Sequence, residues 1–208
     1  MIRNKKELGF YIQADYMMNR GYFKPSIKQR IKNVIAPDFI MRFLTTMRKV
    51  DYYTNCRHNS VLVKIALIYN KIKYRRLSLK LGFSIGSQVF GYGLVIPHYG
   101  TIVVGSSNRV GNYAVLHTSI CITDNGKQIG DGLYVGTGAK ITSHISLGDN
   151  VSIAANSVVN KSFLGNVLLG GMPAVVLKES PAWFVRDGET FSNRVEKIKE
   201  LKHRLNLD

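Results

Sequence analysis

Residues 129–154 read IGDGLYVGTGAKITSHISLGDNVSIA, and an aliphatic residue returns at every sixth position: Ile129, Val135, Ile141, Leu147 and Ile153. The series continues to Val159. An earlier run, Val104, Val110, Leu116 and Ile122, keeps the same spacing until the segment Thr123–Gln128, where the count slips. Glycine or alanine follows most of these positions, as at Gly105, Gly111, Gly130, Gly136, Gly148 and Ala154. A period of six fits neither the helical period nor the two-residue alternation of a strand. It fits a coil that turns a corner every six residues and stacks one aliphatic side chain on the next. In such a solenoid each rung buries its face only against its neighbours.

Outward from this stretch the character of the chain changes twice. From about Leu81 glycine becomes dense, Lys and Arg thin out and β-branched residues dominate, as stacked strands require. Phe90-Gly91-Tyr92-Gly93 and Pro97 disturb the earliest rungs, and Gly170-Gly171-Met172-Pro173-Ala174 reads as a turn beyond the last. Before Leu81 the spacing is helical. Lys5–Asn19 carries Leu8, Tyr11, Ile12 and Met18 on one stripe, and Gly21 and Pro25 interrupt before Ser26–Ala36. Pro37 sits where a helix can start, leading into Asp38–Tyr53 with Phe39, Ile40, Phe43, Leu44 and Met47 aligned. Ser60 can cap Val61–Leu79, whose apolar positions include Leu62, Ile65, Ala66 and Tyr69. Glu189–Leu205 is a charged amphipathic helix with Phe191, Val195, Ile198 and Leu201 inward. The expected domains are residues 1–80, helical; 81–178, solenoid; and 179–208, a helical tail.

At 208 residues the chain is long enough for one sizeable domain, or for a domain with a smaller appendage. No run approaches the roughly 18 apolar residues of a transmembrane helix, and the start lacks the apolar core of a secretory signal. Two cysteines far apart, Cys56 and Cys121, suit a reducing cytoplasm, and the expected location is cytoplasmic. The formal net charge is +16, and residues 1–80 hold 18 Lys/Arg against 4 Asp/Glu. Such a region suits anionic partners, and a peripheral contact with an anionic membrane or polymer is expected there. No groove-reading or base-stacking motif accompanies the charge, so nucleic acid is not expected.

The segment Gly93-Leu94-Val95-Ile96-Pro97-His98-Tyr99-Gly100-Thr101-Ile102-Val103-Val104, the six-residue repeats and Gly171-Met172-Pro173-Ala174 together resemble the hexapeptide-repeat acyltransferases. The resemblance is to the serine acetyltransferase branch, and within it to shorter members associated with capsular and exopolysaccharide synthesis. It implies a left-handed parallel β-helix, a homotrimer with active sites between subunits, acetyl-CoA as acyl donor and no metal. His98 matches the family's general base, which removes the proton from an attacking hydroxyl. Imidazole suits that task, because an alcohol is a poor nucleophile at neutral pH. His117, in Leu116-His117-Thr118, is a candidate for orienting the acceptor or bonding the oxyanion. By position, Thr137 and Ala155 match family residues that contact coenzyme A, with Gly136, Gly138, Ala139 and Ala154 around them. Lys178 is a candidate for the nucleotide phosphates. His144, His58 and His203 have no motif support.

Two departures from the serine enzymes bear on the acceptor. Their catalytic aspartate has no counterpart in Gly82-Phe83-Ser84-Ile85-Gly86, where Ser84 is at most a weak substitute. Their second loop histidine is absent from the shortened Thr123-Asp124-Asn125-Gly126-Lys127-Gln128. The reading that follows is O-acetylation of a sugar hydroxyl on a capsular or surface polysaccharide or its precursor, a saccharide partner. The alternatives are serine or antibiotic acetylation, and a non-catalytic hexapeptide scaffold, which would have no use for His98.

Overall fold

The structure, a computed structural model, describes residues 1–56 and 60–207. The chain begins with four helices, α1 (Lys5–Arg20), α2 (Ile27–Ile35), α3 (Phe39–Asn55) and α4 (Val61–Leu81). Short strands follow: β1 (Phe83–Ile85), β2 (Ile102–Val104), β3 (Arg109–Val110), β4 (Val115–Leu116), β5 (Ile120–Ile122) and β6 (Gln128–Ile129). The series continues through β7 (Tyr134–Val135), β8 (Lys140–Ile141), β9 (Ser146–Leu147), β10 (Ser152–Ile153) and β11 (Val158–Val159). A hairpin of β12 (Val167–Gly171) and β13 (Ala174–Glu179) leads to α5 (Trp183–Arg186) and α6 (Glu189–Arg204).

The strands form three sheets, ordered β1-β2-β5-β8-β11, β13-β12-β10-β7-β4 and β3-β6-β9. All pairings but the final hairpin are parallel, and the coil is the expected left-handed β-helix. The six-residue period is the interior stack itself. Val104, Ile122, Ile141 and Val159 fill one wall, Val110, Ile129 and Leu147 the second, Leu116, Val135, Ile153 and Leu169 the third, and all are buried. Each such side chain contributes about 1.5–3 kcal/mol of burial.

Register locates the irregularities. Tyr134 pairs with Ser152, a step of 18, whereas Cys121 pairs with Lys140, a step of 19. The extra residue sits in the Thr123–Gln128 loop. There Asp124 accepts from the backbone N–H and hydroxyl of Ser107, and the Lys127 ammonium turns inward to the Thr123 carbonyl and hydroxyl oxygens at 2.8 and 2.9 Å. A larger irregularity lies above. Val95 pairs with Val115, 20 residues on, while Ile102 pairs with Ile120, 18 on. The corner between Val95 and Ile102 is therefore two residues longer than the one beneath it, and it carries Pro97 and His98.

A solenoid's first coil has an open edge whose backbone groups need partners. The helices supply them. Asp51 of α3 accepts from the Gln88 N–H at 2.7 Å, and the Arg48 guanidinium donates to the Phe90 and Gly91 carbonyls at 2.8 and 2.6 Å. Asp15 of α1, ion-paired with Arg48 at 2.7 Å, accepts from the N–H groups of Gly93 and Leu94. The Tyr74 hydroxyl of α4 donates to the Ile85 carbonyl. Phe43, Leu44, Met47, Leu77 and Leu81 continue the interior stack into the helices without a break.

Sequence signals for the helix starts hold at Ser26 and Ser60, whose side chains cap α2 and α4. At α3 the cap is Asp38, accepting from the Met41 N–H, so Pro37 precedes the helix. Two expectations change. Parallel pairing outlasts Val159, since Ser152 pairs with Leu168, and the glycine-rich turn belongs to the β12–β13 hairpin. The apolar positions Leu62, Ile65 and Tyr69 of α4 face outward, because the helix packs on α3 through another face.

Candidate active site

One corner of the coil stacks the residues that matter. The Leu116 N–H donates to Val95, that of His117 to Val135, that of Gly136 to Ile153 and that of Ala154 to Leu169, at 2.8–3.1 Å. These bonds put Pro97 and His98, His117, Gly136 and Thr137, then Ala154 and Ala155 on successive rungs of one edge. Rungs are about 4.8 Å apart, so the edge is a continuous ladder. Gly136 is demanded by the stacking alone: a Cβ there would stand 2.8 Å from the Ala155 nitrogen and the Ile153 oxygen.

The long corner of His98 is pinned on both sides. Before it, the Asn19 amide of α1 donates to the Leu94 carbonyl at 2.7 Å and accepts from the Ile96 N–H at 3.2 Å. After it, the Gly100 N–H donates to the Leu81 carbonyl at the end of α4, at 2.9 Å. Gly82, in the left-handed region at φ +77°, lies so near Gly100 that a Cβ would come within 3.1 Å of its carbonyl. Between these anchors Pro97, His98 and Tyr99 stand exposed. Among the described residues no carboxylate bonds the His98 ring, and Ser84 faces outward on β1. The corner thus fixes the backbone of His98 and leaves its ring exposed to solvent.

His117 is half-buried, with its ring 5.1 Å from that of Tyr134. Burial pushes its pKa down, the nearby His98 lowers it further, and Asp187 opposes both. Its neutral form is therefore favoured. Below it lies a depression of about 250 Å³ lined by His117, Tyr134, Thr137, Ala154, Ala155 and Arg186 among others. The Arg186 guanidinium stacks over the Tyr134 ring at 4.8 Å, donates to the Ser152 hydroxyl at 3.0 Å and pairs with Asp187 at 2.7 Å.

Of the residues expected at the cofactor wall, Gly136, Thr137, Ala154 and Ala155 line this depression with His117. Gly138 is a turn glycine at φ +78° whose N–H bonds the Thr118 carbonyl. The Ala139 side chain is wholly buried in the coil, so its methyl faces the core. Lys178 is exposed on β13, opposite Leu168. His144 bonds the Asn125 carbonyl, His203 is exposed on α6, and His58 lies outside the described residues. Tyr134 and Arg186 were missed. Tyr134 alone carried a signal, an aromatic ring at a rung position filled elsewhere by Arg, Val, Cys, Gln, Lys or Ser. Among the described residues no three His, Cys, Asp or Glu converge as a metal site.

This coil and ladder define a hexapeptide transferase, and residues 126–161 match the family described as bacterial transferase hexapeptide (six repeats). The serine acetyltransferase of Staphylococcus xylosus is 30% identical over 204 residues, spanning 88% of this chain and 92% of that one. The chain belongs to the serine acetyltransferase family. Among solved structures, the serine acetyltransferase of Brucella abortus strain S19 superposes with a TM-score of 0.61 at 25% identity, over 84% of this chain and 69% of that one. Its complex with coenzyme A gives a TM-score of 0.57 at 24% identity, over 84% and 68%. These relatives correct the expected acceptor. They are enzymes named for serine, so the assignment to a sugar hydroxyl of a capsular or surface polysaccharide, with its saccharide partner, is overturned. The missing aspartate and shortened loop show which groups do not act, and they carry no information about what accepts the acetyl group.

Proposed function

We propose that the chain transfers the acetyl group of acetyl-CoA to the hydroxyl of serine. The observation that carries this reading is the similarity to the S. xylosus serine acetyltransferase along nearly the whole of both chains. The ladder supports it: an exposed imidazole stands one rung above a half-buried neutral one, and the latter lines a small-residue depression. His98 takes the hydroxyl proton as the serine oxygen attacks the thioester carbon. The tetrahedral intermediate places its negative oxygen within reach of a donor, and neutral His117 supplies one N–H. When the C–S bond breaks, the His98 imidazolium returns its proton to the departing thiolate. Thr137 and Ala155 flank the pantetheine arm, Arg186, paired with Asp187, closes one side of the depression, and the exposed Lys178 is the candidate cation for the donor's phosphates.

At about 250 Å³ the depression admits the thioester end of the donor and little more. The remainder of coenzyme A needs a second wall, which in a homotrimer the neighbouring subunit supplies. The test is product analysis: acetyl-CoA with and without L-serine, following free thiol and identifying O-acetylserine by mass spectrometry. Serine-dependent thiol release with matching product supports the reading. Turnover absent with serine but present with another hydroxyl compound overturns the acceptor, and no turnover with any hydroxyl compound overturns the enzyme.

A further inference from the structure

Helices α2 and α4 carry apolar residues that nothing in the fold covers. On α2, Ile27, Ile31, Val34 and Ile35 are 61–85% exposed. On α4, Val61, Leu62, Ile65, Ile68, Tyr69, Ile72 and Leu79 are 50–78% exposed. At about 100° per residue, the outward apolar positions of α4 share one face of the helix, with the exposed Arg76 among them. Lys64, Lys71 and Arg75 border it on one side, Lys73 and Lys80 on the other, and all five are exposed. The buried or half-buried Leu67, Asn70, Tyr74 and Leu77 occupy the opposite face. The shorter α2 repeats the plan, with Arg30 on one border and Lys28 and Lys32 on the other. Both helices are tied to the start of α3: Arg42 donates to the Asn33 carbonyl at the end of α2, and Lys80 lies 3.7 Å above the Phe39 ring.

We propose that α2 and α4 dock this chain on an anionic lipid surface, lying in the plane of its headgroups. The inference goes beyond acetyl transfer and does not depend on it. Charge selects the occupant. No Asp or Glu occurs between Asp15 and Asp38, or between Asp51 and Asp124, so both helices present cations alone. A second copy meeting the same face would set cationic borders against each other on chains of net charge +16. Nucleic acid would use the cations and leave the isoleucines in water. Anionic headgroups beside acyl chains satisfy both, with Lys and Arg reaching outward while the stripe enters the boundary. With six basic residues along α4, and no described helix long and apolar enough to cross a membrane, the helix lies on the surface rather than spanning it.

The experiment is co-sedimentation of the full chain with phosphatidylcholine vesicles, with and without about one third phosphatidylglycerol, at ~0.1 and ~0.5 M NaCl. The expected result is binding to anionic vesicles on the order of tenfold tighter than to neutral ones, weakening with salt. The double variant Ile68→Glu/Ile72→Glu, on exposed positions remote from the ladder, should lose on the order of tenfold in vesicle binding while keeping its oligomeric state by gel filtration. Failure of the wild-type chain to bind anionic vesicles overturns the proposal. So does a variant that binds them as well as wild type, since charge alone would then act. A variant that dissociates into smaller species places a second copy on this face instead. Duplex DNA that displaces the vesicles and binds the variant undiminished places nucleic acid there, and either result overturns it.

Discussion

The regular coils from Ile129 to Val159 and the first coil from Phe83 to Val104 are built from the same material and held differently. In the regular coils the strand backbones bond the rungs above and below, and each aliphatic side chain packs on its equivalent 18 residues away. From outside the repeat comes the Arg186 contact with Ser152 and Tyr134. The first coil has no rung above it and a corner two residues too long. It depends on Asp15, Asn19, Arg48, Asp51 and Tyr74, all from helices. The repeat makes a scaffold, and the group able to move a proton stands where the repeat fails.

The strongest way to break this contrast is at Asp15. Its carboxylate is buried, pairs with Arg48 and accepts from two backbone N–H groups of the first coil. Asp15→Ala leaves the buried Arg48 with Asp51, 3.9 Å away, as its remaining counter-charge and two first-coil N–H groups without a partner, and a loss of about 3–5 kcal/mol is expected in urea unfolding. A comparable polar loss inside the regular coils is expected to cost less. Next is Asn19→Ala. It frees the Leu94 carbonyl and the Ile96 N–H, two residues before His98, and should cost about 1 kcal/mol. If the clamp positions the imidazole, kcat falls about tenfold, whereas a clamp that is merely structural lowers the melting temperature and leaves kcat alone.

The smallest effect concerns His117. Its depressed pKa means that the folded chain holds fewer protons than the unfolded chain below about pH 6.5. Stability therefore rises with pH through that window and is lost as the pH falls below the ordinary histidine value. His117→Asn should flatten the melting temperature between about pH 7 and pH 5, by about 2 °C. An unchanged slope would mean that burial does not disfavour its charge.

The interior stack was legible because a period of six leaves a mark in the sequence that no helix or strand makes. His98 and His117 were legible through the resemblance to the hexapeptide acyltransferases and not through the repeat. Arg186 and Tyr134 were not, because 52 residues separate them and only the return of α5 across β7 and β10 joins them. Leu62, Ile65 and Tyr69 share helical spacing and stand exposed, since periodicity shows that a helix has an apolar face and not whether anything covers it. The clamp on the first coil was invisible for the opposite reason. Asp15 and Arg48 look like ordinary surface residues until the fold buries them side by side. The acceptor was misread because absent residues narrow a mechanism without naming a substrate.

The central claim is that an imidazole held on an irregular corner deprotonates serine beside a bound thioester. It is tested most directly by serine-dependent release of coenzyme A from His98→Ala against wild type, both saturated with acetyl-CoA. The account predicts a fall in kcat of about 10²–10⁴, with the melting temperature unchanged because the ring is exposed. A variant that turns serine over at the wild-type rate would contradict it.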